Sequence, residues 1–465
     1  MDLTGAADGP PDVSPARTYA LLGTVLHTLE GLTACQGRRV ALDPATVLGL
    51  RAAWSGYQRA GRRSAGGATR LLRAADGWCA VTLSRPDDIA SVPAIVGDDR
   101  PGDPWDVLAH ATQSMTAADL ADRAQLLGVP GAALPVDPAR TPIPWRVTRI
   151  ADPTPPTGLT GKLVVDLTSM WAGPLTARIL GSAGAEVVKV ESPHRPDGAR
   201  ADARFFDWLH DGHEFRTVDF RSTAGRSELA GLLDRADIVL EASRPRALAQ
   251  YGLGPEQRTH RPGKVWLSIT GYGRTEPMRV AFGDDAAVAG GLVGWAGGGP
   301  VFCADAVADP LSGVCGALAV TAAVAAGGGV LLDLSMRDTA AAFAAAPPLD
   351  HGPHPVTRTH TGWVVHCANT GDRQPVLPPR ASDSPGVLGK NPFSAEGTDH
   401  SAGANAGLVP PGGPGSTGAA GPSESSHTCA GERSLDTTPG ACSRPAGDSS
   451  GDAGGSSGAA GAAPC

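Results

Sequence analysis

From residue 163 onward, short apolar strands alternate with helices, and this alternation constrains the fold more than any other feature. A strand at 163–167, a helix at 174–183 and a strand at 185–191 predict a right-handed, parallel βαβ unit. Further strands are predicted at 217–220, 238–241, 265–270 and 330–335, with a helix at 227–235. The pattern predicts an α/β fold: an open, parallel, Rossmann-like sheet with helices on both faces, whose ligands bind at the carboxyl ends of the strands.

Two common nucleotide-binding motifs are missing from the sequence. No G-x-G-x-x-G follows the first strand of this region, and no G-x-x-x-x-G-K-[ST] occurs anywhere. Dinucleotide-binding and P-loop enzymes are therefore disfavoured.

The chain before this region has the pattern of a small α+β domain, predicted at 19–140. Helices are predicted at 19–32, 44–59 and 116–127, the last begun by Thr116 with Asp119 three residues on. Strands at 69–73 and 78–83 flank a turn at Asp76-Gly77.

Composition sets the remaining boundaries. We expect a disordered N-terminus at 1–18, a Pro-rich linker at 141–157, the α/β core at 158–345 and a further segment at 346–380. Residues 381–465 are mostly Gly, Ala, Ser and Pro without apolar periodicity. Such a tail cannot bury enough apolar surface to offset chain entropy, so it is predicted to be disordered.

Asp309 precedes a long apolar helix. Pro310 suits the first helical position, which would place Asp309 at the N-cap. Residues 314–326 are almost wholly small or apolar, so the helix is predicted to be buried. Two interpretations stay open: Asp309 only caps the helix, or it is a nucleophile kept ionised beside oriented backbone N–H groups.

The same stretch raises the question of a membrane span. Residues 310–332 carry no charge, which is long enough to cross a bilayer. However, the run is rich in Ala and is interrupted by Gly327-Gly328-Gly329. A buried helix, a glycine break and a core strand are the preferred interpretation.

Charge and cysteine usage narrow the classes of partner. The net charge is −8 and no block of Lys and Arg occurs, which argues against nucleic acid. None of the eight cysteines has metal-ligand spacing, so we expect neither a metal site nor a disulfide framework. Residues 1–17 lack a basic stretch followed by an apolar one, so no secretory signal is predicted, and a cytoplasmic setting is expected.

Several motifs of the α/β region, in this order, resemble the family III (CaiB/BaiF-type) CoA-transferases, a family that also includes α-methylacyl-CoA racemases. The resemblance covers about residues 158–345. The matching segments are LTGKLVVDLT (159–168), AGP (172–174), GAEVVKVE (184–191), ADIVLE (236–241), Arg244-Pro245, YGLG (251–254), SITGYG (268–273), Gly283-Asp284-Asp285 with Gly290-Gly291-Leu292, and Asp309 before Gly313.

The resemblance implies that Asp309 attacks an acyl-CoA thioester, giving a mixed anhydride and CoA thiolate. The acyl group then passes between a carboxylate acceptor and CoA. Acyl-CoA and a carboxylic acid are then the substrates, with no permanently bound cofactor, no membrane partner and a homodimer as the implied assembly. A pure helix cap remains the alternative role for Asp309.

The resemblance also implies the contacts with CoA, whose phosphates need cations and helix N-termini. The implied residues are Ser169, Met170, Trp171, Ala172, Glu191, His213, Arg244, Gly271 and Tyr272. Some positions that are basic in the family hold Ser192, His213 and Gln250 here. Arg244, Arg246 and Arg274 are the expected substitutes.

The first part of the chain resembles the small domain that normally follows the core in this family. Its Gly66-Gly67 is either the loop that closes over the active site or a plain turn. The segment 375–381 resembles the part of the family that returns the chain to the core.

Two rival functions remain. The racemases of the family use a His where this chain has Asp284, and Asp284 cannot supply an imidazole. Transfer is therefore preferred over an acyl-CoA racemase or isomerase in which Asp309 is the general base. The second rival is a degenerate, non-catalytic CoA-binding protein.

Overall fold

The computed structural model describes residues 2–137, 142–347 and 354–379. The predicted tail at 381–465 lies outside the described residues, as do 138–141 and 348–353. The chain begins with two helices, α1 (Ala16–Cys35) and α2 (Pro44–Ser55). Asp43 caps α2 by accepting the Thr46 backbone N–H at 3.1 Å, and Gly56, in the left-handed conformation, ends the helix earlier than predicted.

This N-terminal segment packs on the α/β core, which differs from the sequence-based division. One side of α1 carries Leu22, Leu26 and Leu29 at helical spacing, and all three are buried in the core. Before α1, Leu3 and Thr4 are buried as well, and Gly5 forms a β-bridge with Pro11. Residues 2–15, expected to be disordered, therefore have defined contacts.

The small α+β unit follows. Its antiparallel sheet is ordered β1-β2-β3, and Thr116 starts α6 as predicted by accepting the Asp119 N–H at 3.0 Å. Ile95, Leu108 and Leu120 are fully buried at its centre. The elements are β1 (Thr69–Arg73), β2 (Trp78–Thr82), α3 (Pro86–Ala90), α4 (Val92–Val96), α5 (Pro104–Ala111), α6 (Ala117–Leu126) and β3 (Gly131–Ala133).

The core is a seven-stranded sheet within the described residues, and it confirms the predicted fold class. Its order is β4-β12-β9-β8-β5-β6-β7, parallel except for β4. The strands are β4 (Trp145–Arg149), β5 (Leu163–Asp166), β6 (Glu186–Glu191), β7 (Glu214–Thr217), β8 (Ile238–Glu241), β9 (Val265–Thr270) and β12 (Val330–Ser335).

Two strands depart from expectation, and both lie at the edges of the sheet. β4 falls inside the predicted linker and pairs antiparallel with β12. β7 lies at Glu214–Thr217 rather than at 217–220. All four residues of β7 are exposed, so the strand leaves no burial pattern in the sequence from which its register follows.

Helices cover both faces of the sheet. Neighbouring residues of β5 point to opposite sides, Val164 into one apolar cluster and Val165 into another. The helices are α7 (Ala172–Ser182), α8 (Ala203–Leu209), α9 (Thr223–Arg235), α10 (Arg246–Ala249), α11 (Gly283–Ala289), α12 (Ala308–Ala325) and α13 (Met336–Ala344). The remaining strands are β10 (Gly294–Ala296), β11 (Gly299–Val301), β13 (Val356–Thr359), β14 (Gly362–His366) and β15 (Arg373–Pro375).

Helix α12 is the apolar helix expected from the sequence. Among the described residues it alone has the length and composition that would suffice to cross a membrane, and 72% of that stretch is buried in protein. It packs against α7 through Gly313 and Gly316, where a Cβ atom would lie 2.7 Å from the Ala172 carbonyl oxygen and 2.8 Å from Thr176 Oγ1. The helix is thus fitted closely to a protein neighbour.

The strand order reverses beside β5. From β5 the chain proceeds through β6 to β7 on one side, then returns to β8 on the other side of β5. In open α/β sheets, ligands bind at such a reversal, outside the carboxyl ends of the strands. The loops after β5 and β8 flank this position, and they contain Ser169–Ala172 and Arg244.

Candidate active site

Asp309 lies in the first turn of α12 but not at its N-cap. The helix begins at Ala308, and Val307 occupies the N-cap with no side-chain cap. The predicted N-cap position of Asp309 is therefore wrong by two residues. The turn before the helix is the physical reason: Ala304 (φ 55°) and Ala306 (φ 43°) are left-handed, and the Asp309 N–H donates to the Ala306 carbonyl at 2.9 Å.

The carboxylate of Asp309 rests against Gly283, the first residue of α11. A Cβ atom on Gly283 would lie 2.5 Å from Asp309 Oδ2 and 2.3 Å from the Ala306 carbonyl oxygen. Only glycine fits there, because any side chain would collide with both. The Gly283 backbone N–H faces the carboxylate and favours its ionised form.

Further carboxylates lie around the Asp309 carboxylate. Asp284 Oδ1 accepts the Ala306 N–H at 3.1 Å, and Thr69 Oγ1 of β1 lies 3.4 Å from its Oδ2. Asp285 is fully buried and accepts from Thr82 Oγ1 at 3.1 Å, with its other oxygen unpartnered. We call Asp284, Asp285, Asp305 and Asp309 the acidic cluster.

Burial is the largest cause of the raised pKa values in the acidic cluster. It raises the pKa of Asp309 to about 7, with Asp284 and Asp305 adding to the rise and Arg51 and the Gly283 N–H opposing it. Burial and Asp305 raise the pKa of Asp284 to about 6. Burial raises the pKa of Asp285 to about 8. Near neutral pH Asp285 and Asp309 therefore retain protons that exposed aspartates would have lost.

Arg51 of α2 is the cation of this cluster, and it was not predicted from the sequence. Its Nε and Nη2 donate to the two Asp305 oxygens at 2.8 and 2.6 Å. Its guanidinium lies 4.5 Å from the centre of the Trp171 ring and 5.9 Å from that of Tyr57. Burial opposes its charge, but Asp305, Asp309 and Asp284 raise the pKa of Arg51 above its ordinary value. The sequence did carry a signal, since Arg51 is the one charged residue of α2.

Helix α7, which follows the loop after β5, packs on α12, the helix that carries Asp309. Thr176 Oγ1 of α7 donates to the Gly313 carbonyl of α12 at 2.9 Å, so the N-terminal halves of the two helices lie together. No side chain caps the first turn of α7. Orphan N–H groups at a helix N-terminus favour an anionic ligand.

The loop itself has the backbone of a tight ligand-binding turn. Met170 is left-handed (φ 74°) and 37% exposed, and Ser169 is exposed beside it. Trp171 and Ala172 are buried, so the predicted contact of this loop with CoA falls to the backbone and to the first two residues. The Met170 N–H donates to Asp197 Oδ1 at 2.9 Å, which fixes the turn.

A second set of buried charges supports this loop from behind. Lys189 is fully buried, lies 3.0 Å from Asp197 Oδ2 and 3.8 Å from Asp166 Oδ2, and also donates to the Thr168 carbonyl. Asp166 Oδ1 accepts the Thr168 N–H at 2.9 Å. We call Asp166, Lys189 and Asp197 the loop cluster.

Basic side chains gather around Arg244, in the loop after β8. Burial, together with the charges of Arg246, Arg85 and Arg195, lowers the pKa of Arg244, which shows that these four guanidinium groups share one region. Arg274, expected to contribute, is instead 3.1 Å from Glu241 and also paired with Glu256. The available cations beside the strand ends are therefore those around Arg244.

Four predicted contact residues have other partners. Burial, then Arg178 and Lys189, lowers the pKa of His213 to about 3, so its ring is neutral, and it lies against the end of α7 at Gly181. Glu191 receives a hydrogen bond from Arg200 Nε at 3.1 Å. The Tyr272 hydroxyl is buried and donates to the Gly131 carbonyl of β3, while Gly271 lies against Ala281. The structure shows these contacts within the protein, and the contact of the four residues with CoA stays a prediction.

The glycine-rich segment of the small unit reaches the acidic cluster as a turn. The Gly67 N–H donates to the Ser64 carbonyl at 2.9 Å, and Gly67 is left-handed (φ 82°). Ser64 is buried, and its hydroxyl favours the ionised form of Asp284. Gly66-Gly67 thus forms a turn, and its role as a loop that closes over the active site stays a prediction.

Comparison with known proteins gives a consistent family. The profile of CoA-transferase family III matches residues 159–380, which confirms the resemblance seen in the sequence. A succinate–glutarate CoA-transferase of Agrobacterium fabrum is 30% identical over 248 residues, 44% of this chain and 62% of that protein. The alpha subunit of a succinyl-CoA–L-malate CoA-transferase from Chloroflexus aurantiacus is 36% identical over 141 residues, 27% of this chain and 33% of that protein.

A solved structure aligns over a similar share of the chain. A CaiB/BaiF family protein from Brucella suis is 25% identical, with a TM-score of 0.41, over 46% of this chain and 66% of that one. The aligned part of the chain spans less than two thirds of the length of the curated relatives described above.

Proposed function

Residues 159–380 form a CoA-transferase family III region, and on this premise we propose that the protein transfers CoA between an acyl-CoA and a carboxylic acid. The observation that carries the proposal is the position of Asp309. Its carboxylate lies in the first turn of α12 but not at the N-cap, rests on Gly283 and has the Gly283 backbone N–H as its hydrogen-bond donor. A buried carboxylate with so few hydrogen-bond donors is available to act as a nucleophile.

The proposed reaction begins with attack of an Asp309 oxygen on the thioester carbonyl. The new C–O bond forms, the C–S bond breaks, and the electron pair leaves on the CoA thiolate, so that a mixed anhydride remains on Asp309. The thiolate then attacks the aspartyl carbonyl and releases the donor acid, leaving an aspartyl thioester. An acceptor carboxylate repeats the two steps in reverse, which yields the new acyl-CoA and restores Asp309.

The chain's own groups support each requirement of this sequence. Attack needs the ionised form of the Asp309 carboxylate. Burial disfavours this form, and the Gly283 N–H and the charge of Arg51 favour it. We propose that the CoA phosphates bind Arg195, Arg244 and Arg246, because these cations follow the carboxyl ends of β6 and β8, and that the uncapped N-terminus of α7 contributes backbone N–H groups. No step needs ATP or a redox partner.

The test is oxygen transfer to Asp309. We would incubate the protein with succinyl-CoA and ¹⁸O-carboxylate glutarate or malate, since the names of the two relatives contain these acids. One ¹⁸O is expected in the protein, localised by peptide fragmentation to Asp309. Label at Asp284, Asp285 or Asp305, or transfer without label in the protein, would refute the aspartyl route. If no acyl-CoA of a wider panel exchanges, the proposed function is wrong.

A second candidate, exchange of the proton α to the thioester, is supported by one observation. Asp284 and Asp309 belong to one cluster and have pKa values of about 6 and 7, which suits an acid–base pair near neutral pH. Deuterium entering the α-carbon of a chiral 2-methylacyl-CoA, in deuterated water and without an acceptor acid, would establish this activity. We expect none, because both groups are carboxylates that repel each other when ionised.

The assembly and setting are also proposals. The family resemblance implies a homodimer, and the sequence pattern of the N-terminus and the cysteines favours a cytoplasmic setting. Light scattering of the full chain would measure the assembly, and a mass of one chain would refute it.

A further inference from the structure

Arg51 lies outside the region matched to the family, at residues 159–380, yet its side chain contacts both sides of the candidate site. On one side it forms a bidentate ion pair with Asp305, in the turn that leads to Asp309. On the other side its guanidinium covers the Trp171 ring at 4.5 Å, at the end of the loop after β5. The side chain is only 20% exposed, so both contacts are made in a largely dry environment.

The ion pair explains why an arginine is required for this bridge. A guanidinium is planar, donates two parallel hydrogen bonds to one carboxylate and stacks on an aromatic face at the same time. A lysine at this position would keep the charge but lose the fork. Asp305 is 1% exposed, and a buried carboxylate without its partner would be strongly destabilised.

The charges that act on Asp309 come from three elements. Arg51 comes from α2, Asp284 from α11 and Asp305 from the turn before α12. Asp285 lies next to Asp284 on α11, and the titratable Tyr57 lies over Arg51. Arg51 is thus the positive member of a group whose other charges are negative.

We propose that Arg51 is a positioning residue for the reaction at Asp309, anchored by Asp305 and braced against Trp171 so that its charge stays fixed beside the nucleophile. The proposal rests on the proposed transfer for its chemical meaning. Its electrostatic part does not depend on turnover: Arg51 favours the ionised form of Asp309, and Asp305 opposes it.

The test uses the full chain and two substitutions that remove charges of opposite sign. R51M removes the cation, so the midpoint of Asp309 ionisation should rise by about one pH unit. D305N removes a negative neighbour, so the midpoint should fall. R51K should stay near the wild-type midpoint, and R51M/D305N should return towards it. R59M is the matched control: Arg59, 14% exposed, pairs with Asp2 in the same N-terminal segment, and its loss should leave the midpoint unchanged.

Two measurements give the midpoint of Asp309 ionisation. The first is the pH dependence of single-turnover CoA release, whose acidic limb should move to higher pH in R51M and to lower pH in D305N. The second is ¹³C NMR titration of protein labelled at the aspartate carboxyl carbon, with the Asp309 signal identified by its loss in D309N. The second works even if no acyl-CoA is turned over, so failure of the proposed function and failure of this inference are distinguishable.

The outcomes are decisive for Arg51. Opposite shifts in R51M and D305N, cancelling in the double variant, support the proposal. Equal midpoints in wild type and R51M, or shifts of the same sign in R51M and D305N, overturn it. If R51M does not fold, R51Q carries the same test, since it removes the cation but keeps a side chain that can donate to Asp305, and its midpoint should rise as expected for R51M; an unchanged midpoint in R51Q overturns the proposal.

Discussion

The acidic cluster and the loop cluster both bury aspartates around one cation, and they differ in how those aspartates are satisfied. In the loop cluster, Asp197 accepts the N–H groups of Met170 and Ala199 and pairs with Lys189 at 3.0 Å. In the acidic cluster, the Asp309 carboxylate has the Gly283 N–H and otherwise nearby charges, most of them negative. Asp197 thus has two backbone donors and a cation as partners, whereas Asp309 has one backbone donor.

This difference agrees with a supporting role for Asp197 and with the reactive role proposed for Asp309. Burial penalises an ionised carboxylate unless hydrogen bonds and a counter-charge compensate. Asp197 receives that compensation, so its charge holds the backbone of the loop after β5 in place. In the acidic cluster the pKa of Asp309 stays near 7, so the group changes charge in the range where a nucleophile is useful.

The largest expected effect is on activity, in D309N. Transfer should fall at least about a thousand-fold, because an amide cannot form the anhydride. The melting temperature should change little, because the amide oxygen can still accept the Gly283 N–H. D338N is the control, since Asp338 also lies in the first turn of a helix, α13, and should retain transfer. Near wild-type transfer in D309N would remove Asp309 from the mechanism, and loss of folding would make it structural.

The next effect is on stability, in K189M. Removing the buried ammonium leaves Asp166 and Asp197 without their cation, so the free energy of unfolding should fall by about 3–5 kcal/mol. Denaturant unfolding measures it. K162M is the control, since Lys162 is 27% exposed and lies 3.5 Å from Asp237, a pair worth at most about 1 kcal/mol. Equal losses in both variants would contradict the supporting role of the loop cluster.

A smaller effect concerns the pH dependence of stability. The pKa of Asp285 is raised to about 8, against about 3.9 in an unfolded chain. The folded state therefore binds this proton more tightly, and its contribution to stability is lost as pH rises from about 4 to about 8. In D285N the unfolding free energy should decline less between pH 5 and pH 8 than in the wild type. An unchanged decline would show that Asp285 is not held in its protonated form.

Burial explains which parts of the fold were predictable. Strands β8, β9 and β12 lie at the predicted residues because they are nearly continuous buried apolar runs. The edge strands β4 and β7 were missed or displaced because most of their residues are exposed. Local pattern thus predicts an element when the element is itself buried on both faces.

The candidate site was only partly predictable. Asp309 and the loop at 169–172 follow from motifs that are short and local. Arg51 does not, because its partner Asp305 is 254 residues away in sequence, and no local rule joins them. Arg274 shows the converse. A basic residue near the strand ends was a reasonable prediction for a phosphate contact, but Arg274 forms ion pairs with Glu241 and Glu256.

The packing of α1 has a consequence for how the chain is made. Gln36, just after α1, donates to the Thr321 carbonyl of α12, 285 residues later, and the apolar side of α1 is buried in the same core. A ribosome adds roughly 5–20 residues per second. The apolar side of α1 therefore stays exposed to other chains for on the order of tens of seconds, until α12 has been synthesised. We expect the nascent protein to depend on chaperones during that interval.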